Sequence, residues 1–584
     1  MRTSPLSHVN LEYVDSFEKL GRFMTWLGEK RRFLGVDTET SGFSPERERI
    51  RLIQFGDLNR GWAIPWERWS GAALEAIDKY DGPLVLHNSK FDTRMITHHS
   101  DIQWPWHRTH DTMAMAHILN PLRLKGLKPL AGQLVDMQAV QAQRLLDDAM
   151  SENKWTWATI PIDFPYYWIY AAMDPVLTCY LAEHFMDDID SKYRDVYDLE
   201  MGTTRIIANM ESKGARVDLA YAEMKQTQLL TWSGQARDWL RDQHGLDNPN
   251  SGVQLLDFFK RNQIEIPVKR TKGGAQSLDK EVLEGIDHIV AETVLKVRHA
   301  EKNVGPYFKN FLWMADDNDR VHANIWTMGT RTARMTITEP ALQTLPRKDP
   351  TVRTAFIPSE GGVLLTCDYD QIEARLTAHF SKDPGLIHAF SLPEDFFCTI
   401  AGQIFQEEIS KKDPRRQLTK NTVYGKLYGA GIEKMAQTAH VPFQQMEAVV
   451  NGFDLRFPGV KQMQRDIANA AQKRRLDEGI AYVTTPTGRV MMSDDDKDYT
   501  LTNYLIQCHA AEILKRKIIE LDAMGMGPYM ILPVHDEIVF DVPEDEAQNA
   551  LHIINTTMPD LTSYAVPITA SADILTSDWG AKYR

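Results

Sequence analysis

One stretch of this chain restricts its fold more than any other: Asp413-Pro414-Arg415-Arg416 and the residues that follow as far as Gly429. Asp is a strong N-cap and Pro a preferred first helical residue, so a helix begins there. From that start Arg416, Lys420, Tyr424 and Tyr428 recur at every fourth position. At 3.6 residues per turn they form one slowly drifting stripe. A core stripe would be aliphatic, and a solvated face seldom carries two tyrosines. Two cations followed by two rings suit a nucleoside triphosphate, with the cations on phosphates and a flat ring against sugar and base.

Acidic centres flank this helix in sequence. LLTCDYDQIEAR (364–375) reads as a buried strand ending in Asp368, and YMILPV and IVFDV flank His535-Asp536-Glu537 as a hairpin with a polar tip. Residues 1 to about 192 alternate short apolar strands (RRFLGV, RIRLIQFGD, GWAIPW, GPLVLHN) with helical stretches, an α/β pattern. A helical, charged region follows to about 316, and a second helical block runs from about 383 to 480.

In FLGVDTETSGF, Asp37 and Glu39 are two apart on a strand and share one face. Carboxylates that close repel each other and need a cation between them. Asn88 and Asp92 are four apart after PLVLHN, as are Tyr170 and Asp174 in YAAMDPVLT, so a helix presents each pair together. Six of the eighteen histidines fall within 87–117, but without tetrahedral ligand spacing, so surface or structural roles are the simpler account.

At 584 residues and 43% hydrophobic, the chain has room for two to four domains. No apolar run reaches the roughly 18 residues that span a bilayer, and MRTSPLSHVNLEYVDS lacks the apolar centre of a signal peptide. Four scattered cysteines (Cys179, Cys367, Cys398, Cys508) argue for a reducing cytoplasm and against a zinc site. The net charge of −14 seems to oppose a polyanionic partner. Residues 411–426, however, carry six basic residues against one acidic, and phosphate contacts need only local basic surface.

Asp37/Glu39, Asn88/Asp92 and Tyr170/Asp174, in that order, resemble the three motifs of the DnaQ-like 3′→5′ exonucleases, which have an RNase H-like fold. The resemblance implies that Asp37, Glu39, Asp92 and Asp174 bind two divalent metals and that Tyr170 orients the attacking water. Four oxygen donors suit Mg²⁺, with Mn²⁺ as a substitute. D-Y-D-Q-I-E-A-R, R-x-x-x-K-x-x-x-Y-G-x-x-Y-G and V-H-D-E closely resemble the polymerase motifs of family A DNA polymerases, the bacterial DNA polymerase I group and its phage relatives. The likeness extends to TRTARMT (330–336), ALQTLP (341–346), TPTGR (485–489) and Asn503-x-x-x-Gln507. With the exonuclease motifs it covers nearly the whole chain.

The resemblance implies an α/β and α+β multidomain protein: an exonuclease domain over 1–192, then a right-hand polymerase domain over 193–584. Within the latter the thumb spans about 205–316, the palm about 317–390 and 501–584, and the fingers about 391–500. Asp368, Asp536 and the adjoining Tyr369 would hold two catalytic Mg²⁺. Arg416 and Lys420 would grip the triphosphate, with Lys420 placed to give a proton to the leaving group. Tyr424 would stack on the incoming nucleotide, and Gln371 and Tyr428 would complete its site. Glu373 would block a ribose 2′-OH. Arg334, Gln343, Asn503, Gln507 and His535 would contact DNA, and Glu537 would support the metal site without being an essential ligand.

Four positions depart from the bacterial pattern. Asp370 replaces serine, Phe397 stands where a D-x-H histidine helps bind phosphate, Tyr499 replaces arginine, and Tyr424 replaces phenylalanine, a change associated with weak rejection of dideoxynucleotides. With the exonuclease motif starting 36 residues in, a 5′-nuclease domain is not expected. The architecture implies a monomeric phage replicative polymerase acting on primer–template DNA and dNTPs in the host cytoplasm, with no membrane and with replisome partners unspecified. A bacterial repair polymerase is the alternative. A single-subunit RNA polymerase is opposed by Glu373 and the linked nuclease. A stand-alone exonuclease with a decayed polymerase is opposed by the survival of Asp368, Lys420 and Asp536.

Overall fold

The structure, a computed structural model, describes residues 4–271, 273–345, 349–494 and 497–584. Pro346, the end of the ALQTLP motif, therefore lies outside the described residues. The N-terminal region is built on six strands: β1 (Asn10–Tyr13), β2 (Leu34–Thr40), β3 (Ile50–Gly56), β4 (Arg60–Pro65), β5 (Leu84–Leu86) and β6 (Thr109–Asp111). They form one mixed sheet in the order β1-β4-β3-β2-β5-β6. β3 is buried along its whole length, Arg51 and Gln54 included, as a strand covered on both faces.

Three helices bring chemistry to this sheet: α1 (Ser89–His98), α2 (Leu127–Leu134) and the long α3 (Pro165–Asp188), which starts with proline in its first turn. A row of glycines sets how closely α3 lies. Gly35 faces Gly56 across β2 and β3, and Gly56 faces Gly61 across β3 and β4. A Cβ at Gly35 would meet the Pro175 carbonyl oxygen at 2.3 Å, and one at Gly61 would meet that of Ala172 at 2.0 Å. Only glycine allows the α3 backbone this near. Asp174, next to Pro175, is thereby lowered onto the strand that bears Asp37 and Glu39.

α3 passes through a single wide turn, Ile189–Tyr193, directly into α4 (Arg194–Lys213), so no open linker separates the two regions near residue 192. Next comes α5 (Leu219–His244), beside a separate small core that includes Leu240, Leu255, Phe259 and Val290. The central sheet of the C-terminal region has four antiparallel strands: β7 (Gly362–Tyr369), β8 (Met530–Val534), β9 (Glu537–Pro543) and β10 (Ala570–Leu575), in the order β8-β9-β7-β10. Leu364, Phe540, Ile513 and Trp579 belong to the core beneath it. The expected helical block includes α6 (Phe396–Phe405) and α7 (Pro414–Leu427), and α8 (Leu501–Leu521) packs behind the sheet. A third apolar cluster joins the regions and includes Leu177 and Phe185 of α3 and Leu501 and Cys508 of α8.

Local expectations meet one adjustment. The hairpin tip is His535-Asp536 alone, with His535 at φ +56°, and Glu537 already begins β9. Among the described residues all four cysteines are free, and no helix is long and apolar enough to cross a membrane.

Candidate active sites

The first site lies where β2, α1 and α3 meet. Carboxylate oxygens of Asp37, Glu39 and Asp174 all fall within 4.8 Å of one another, an all-oxygen set that suits a hard divalent cation. Burial, then the neighbouring Glu39, holds the Asp37 carboxyl well above its usual range. Burial likewise pushes Glu39 up to about 8. A divalent cation bound by such carboxyls would displace their protons to solvent.

Asp92 stands beside this trio but outside it. Its Oδ1 accepts the Thr38 backbone N–H at 2.9 Å and the Thr38 hydroxyl at 2.6 Å, and burial followed by the Asp37 charge raises its carboxyl. The structure therefore brings three of the four expected carboxylates into one ligand set and holds the fourth against β2. α1 itself is fixed from β6: Asp111 accepts the Ser89 N–H (2.7 Å) and hydroxyl (2.8 Å), and also caps the helix that follows it. Tyr170, one turn before Asp174, is half-buried, and that burial raises its hydroxyl.

Two features of this site escaped the sequence reading. Lys128, in the first turn of α2 and 4% exposed, makes an ion pair with Asp174, with its Nζ 3.9 Å from the centroid of the Tyr170 ring. Burial lowers its ammonium to about 7, against the pull of Asp37 and Glu39. The G-L-K-P-L stretch carries no pattern that marks a site lysine. At the rim, Phe43 is 78% exposed and lies 6.3 Å from the ring of Phe91, the neighbour of Asp92.

The second site lies at the ends of β7 and β9. Asp368 pairs in register with Glu537, and the Tyr369 N–H donates to the Asp536 carbonyl at 3.3 Å, so both aspartates sit at one corner of the sheet. The Tyr369 hydroxyl points away to the Met558 carbonyl (3.0 Å), leaving only its backbone facing this corner. Glu537 is occupied: Lys582 (2.9 Å), Trp579 (3.3 Å) and Tyr583 (3.2 Å) all donate to it.

α7 presents its stripe as expected, with Tyr428 at its C-terminal cap and the Tyr424 and Tyr428 rings 6.1 Å apart. The Tyr428 hydroxyl donates to Glu373 Oε2 at 2.8 Å, and Arg334 lies 3.1 Å from Glu373 Oε1 and 3.3 Å from Asp536 Oδ1. A continuous polar path thus runs from the stripe to an aspartate of the sheet corner. Burial raises the Glu373 carboxyl, with Arg334 and Tyr428 opposing it. Gln371 stands at the N-cap position of the following helix at φ +56°, without a capping bond from its side chain. Gln343 Nε2 meets His535 Nδ1 at 3.0 Å, and the Thr332 hydroxyl approaches Gln507 at 3.5 Å. Asn503 lies one turn before Gln507 on α8. Asp370, the serine replacement, accepts the hydroxyls of Thr569 and Ser571, both at 2.9 Å, and so ties β7 to the β10 side.

Comparison with known proteins divides the chain the same way. Residues 12–190 match the 3'-5' exonuclease family and residues 223–581 match DNA polymerase family A. The DNA polymerase of Mycobacterium phage D29 is 27% identical, covering 98% of this chain and 97% of its own. That of Mycobacterium phage L5 is 26% identical with the same coverage. The solved POL domain of Pol1 from M. smegmatis, in complex with DNA primer-template and dNTP, superposes with a TM-score of 0.79 at 23% identity, over 98% of this chain and all of that one.

Proposed function

The chain belongs to DNA polymerase family A and carries a 3'-5' exonuclease domain, and from that premise we propose that it copies a phage genome and edits the 3′ end it makes. The single observation that carries the reading is the coexistence of two intact acidic sites, one of them joined to the α7 stripe through Tyr428, Glu373, Arg334 and Asp536. End-to-end similarity to two phage DNA polymerases supports the replicative setting. We assign 1–192 to the exonuclease and 193–584 to the polymerase, with the thumb, palm and fingers bounded as the sequence suggests, and place the protein in the host cytoplasm.

In synthesis, Asp368 and Asp536 would hold two Mg²⁺ ions. Arg416 and Lys420 take the triphosphate, and Lys420 delivers a proton to the departing pyrophosphate. Tyr424 stacks on the incoming nucleotide. Glu373, fixed by Tyr428 and Arg334, is a rigid wall where a 2′-OH would sit. In editing, Asp37, Glu39 and Asp174, with Asp92 beside them, would hold two such ions, and Tyr170 would orient a water. When bound, such ions stabilise both the attacking and the leaving oxygen of an in-line displacement. Phe43 and Phe91 give unpaired bases a stacking surface at the entrance. A second site is expected on physical grounds, because binding alone discriminates poorly between near-isosteric substrates.

The test is a labelled primer–template with Mg²⁺, with and without dNTPs. Extension with them and shortening without them is the expected pair of outcomes. Extension of ribonucleotides as readily as deoxynucleotides, or failure to shorten, would overturn the corresponding half.

A further inference from the structure

α6 and α7 are joined at the base of the nucleotide stripe by a two-armed ion pair. Arg416 donates through Nε to Asp395 Oδ1 at 2.8 Å and through Nη2 to Asp395 Oδ2 at 2.7 Å. Asp395 Oδ1 also accepts the Cys398 backbone N–H at 3.0 Å, so the same carboxylate is the N-cap of α6. The two side chains are only 14% and 22% exposed. Two residues on, Phe397 is buried, with its ring centroid 5.8 Å from the Arg416 guanidinium carbon, 5.6 Å from Lys420 Nζ and 6.0 Å from the Tyr424 ring. Three side chains of the stripe thus converge on the segment 395–397.

A guanidinium is a planar fork with two usable edges. The pair with Asp395 consumes the Nε/Nη2 edge and so fixes the direction of the Nη1 side. A fork held along one edge offers the other to a phosphate with little left to order, which favours binding. Phe397 completes the seat, its ring face attracting both cations.

We propose that Asp395 is a positioning residue for the triphosphate of the incoming nucleotide, acting through Arg416, with Phe397 as the floor beneath both cations. This rests on the reading of Arg416 and Lys420 as the triphosphate grip. Because the phosphates are common to all four substrates, the effect of Asp395 is independent of the base.

Asp395→Asn tests it without removing the helix cap, since Asn caps as well as Asp. Single-nucleotide incorporation is measured for each of the four dNTPs, together with inhibition by inorganic tripolyphosphate. Loss of one charge-assisted pair is expected to raise KM about tenfold for every dNTP, to weaken tripolyphosphate inhibition by a similar factor, and to leave kcat within about threefold. Exonuclease activity and the melting temperature report that the fold is intact. Arg416→Ala is run in parallel, and the double variant is expected to be no worse than Arg416→Ala alone. If Arg416→Ala raises KM but Asp395→Asn does not, the assignment of Asp395 is wrong and the reading of Arg416 stands. If Arg416→Ala leaves KM and inhibition unchanged, that reading falls and the proposal with it. A lowered KM in Asp395→Asn would mean that the carboxylate competes with phosphate, and would also overturn the proposal.

Discussion

Gly35→Ala isolates the approach of α3 to the sheet from every chemical group of the exonuclease site. The added Cβ would stand 2.3 Å from the Pro175 carbonyl oxygen, 2.8 Å from its carbon and 2.9 Å from its Cα. All three are backbone atoms, so no side chain can rotate aside. Restoring even a tight 3.0 Å contact needs 3.0 − 2.3 = 0.7 Å of relative movement between β2 and α3. Those two elements carry Asp37, Glu39 and Asp174, whose ligand atoms must stay within 4.8 Å of one another. Overpacking of this kind costs about 1–3 kcal/mol, and a misplacement near 1 Å costs about 100-fold in rate. Release of a 3′-terminal nucleotide from a labelled single strand should fall roughly 10- to 100-fold, while primer extension by the same preparation stays within about twofold. Gly21→Ala, on an exposed helix face with nothing within 4 Å, is the control and should change neither activity. Near-normal exonuclease in Gly35→Ala would show that the glycine row does not set the site. A parallel loss of extension would show that the damage is not local.

Three further outcomes follow from the two-site arrangement. Asp536→Asn should abolish synthesis and leave primer degradation, and Asp37→Ala should do the reverse; loss of both activities in either folded variant would refute separate sites. Burial holds Asp37, Glu39 and Asp92 above their usual carboxyl range. A raised folded-state value gives stability that is complete below the ordinary value near 4.5 and lost as pH climbs through the folded one, about 8 for Glu39. Lys128, lowered to about 7, works the other way, its contribution growing only above that pH. Mg²⁺ supplies the missing counter-charge, so its stabilisation of the exonuclease domain in thermal melts should be larger at pH 8 than at pH 5.5; an equal or smaller shift at pH 8 contradicts the cause given. Finally, the buried Glu211 of α4 accepts Lys90 and the Ile325 N–H through Oε1 and Arg94 through Oε2 (2.9 Å), pinning α1 to the polymerase half. Glu211→Gln leaves two buried cations underpaired and should destabilise by about 3–5 kcal/mol, read as a lower melting temperature; an unchanged melt would mean that the pair is not a domain clamp.

Much of the fold was legible because its signals are local. Asp413-Pro414 announced α7, and the buried run of β3 and the polar hairpin tip each announced themselves within ten residues. The pairing of Asp37 with Glu39 follows from strand alternation alone. What local signals could not give was depth. Gly35, Gly56 and Gly61 look like ordinary strand interruptions in the sequence. Their common purpose appears only once β2, β3 and β4 are in register and α3 lies across them.

The residues that escaped the sequence reading share that property. Lys128 reaches Asp174 from 46 residues away, Asp395 reaches Arg416 from 21, and Lys582 reaches Glu537 from 45. In each case the residue carries the charge opposite to that of the group a motif makes conspicuous. Motif reading favours one sign of charge at a site, because substrates and metals select it. Folding without those ligands demands the other sign as well, since an isolated buried charge is costly. The counter-charges are free to come from any element that passes nearby, so they follow no fixed spacing. They also stand where an arriving cation or phosphate must compete or cooperate with them. A site inferred from motifs therefore shows which groups meet the ligand. How tightly the ligand is held depends equally on residues such as Lys128 and Asp395, which only the assembled structure places there.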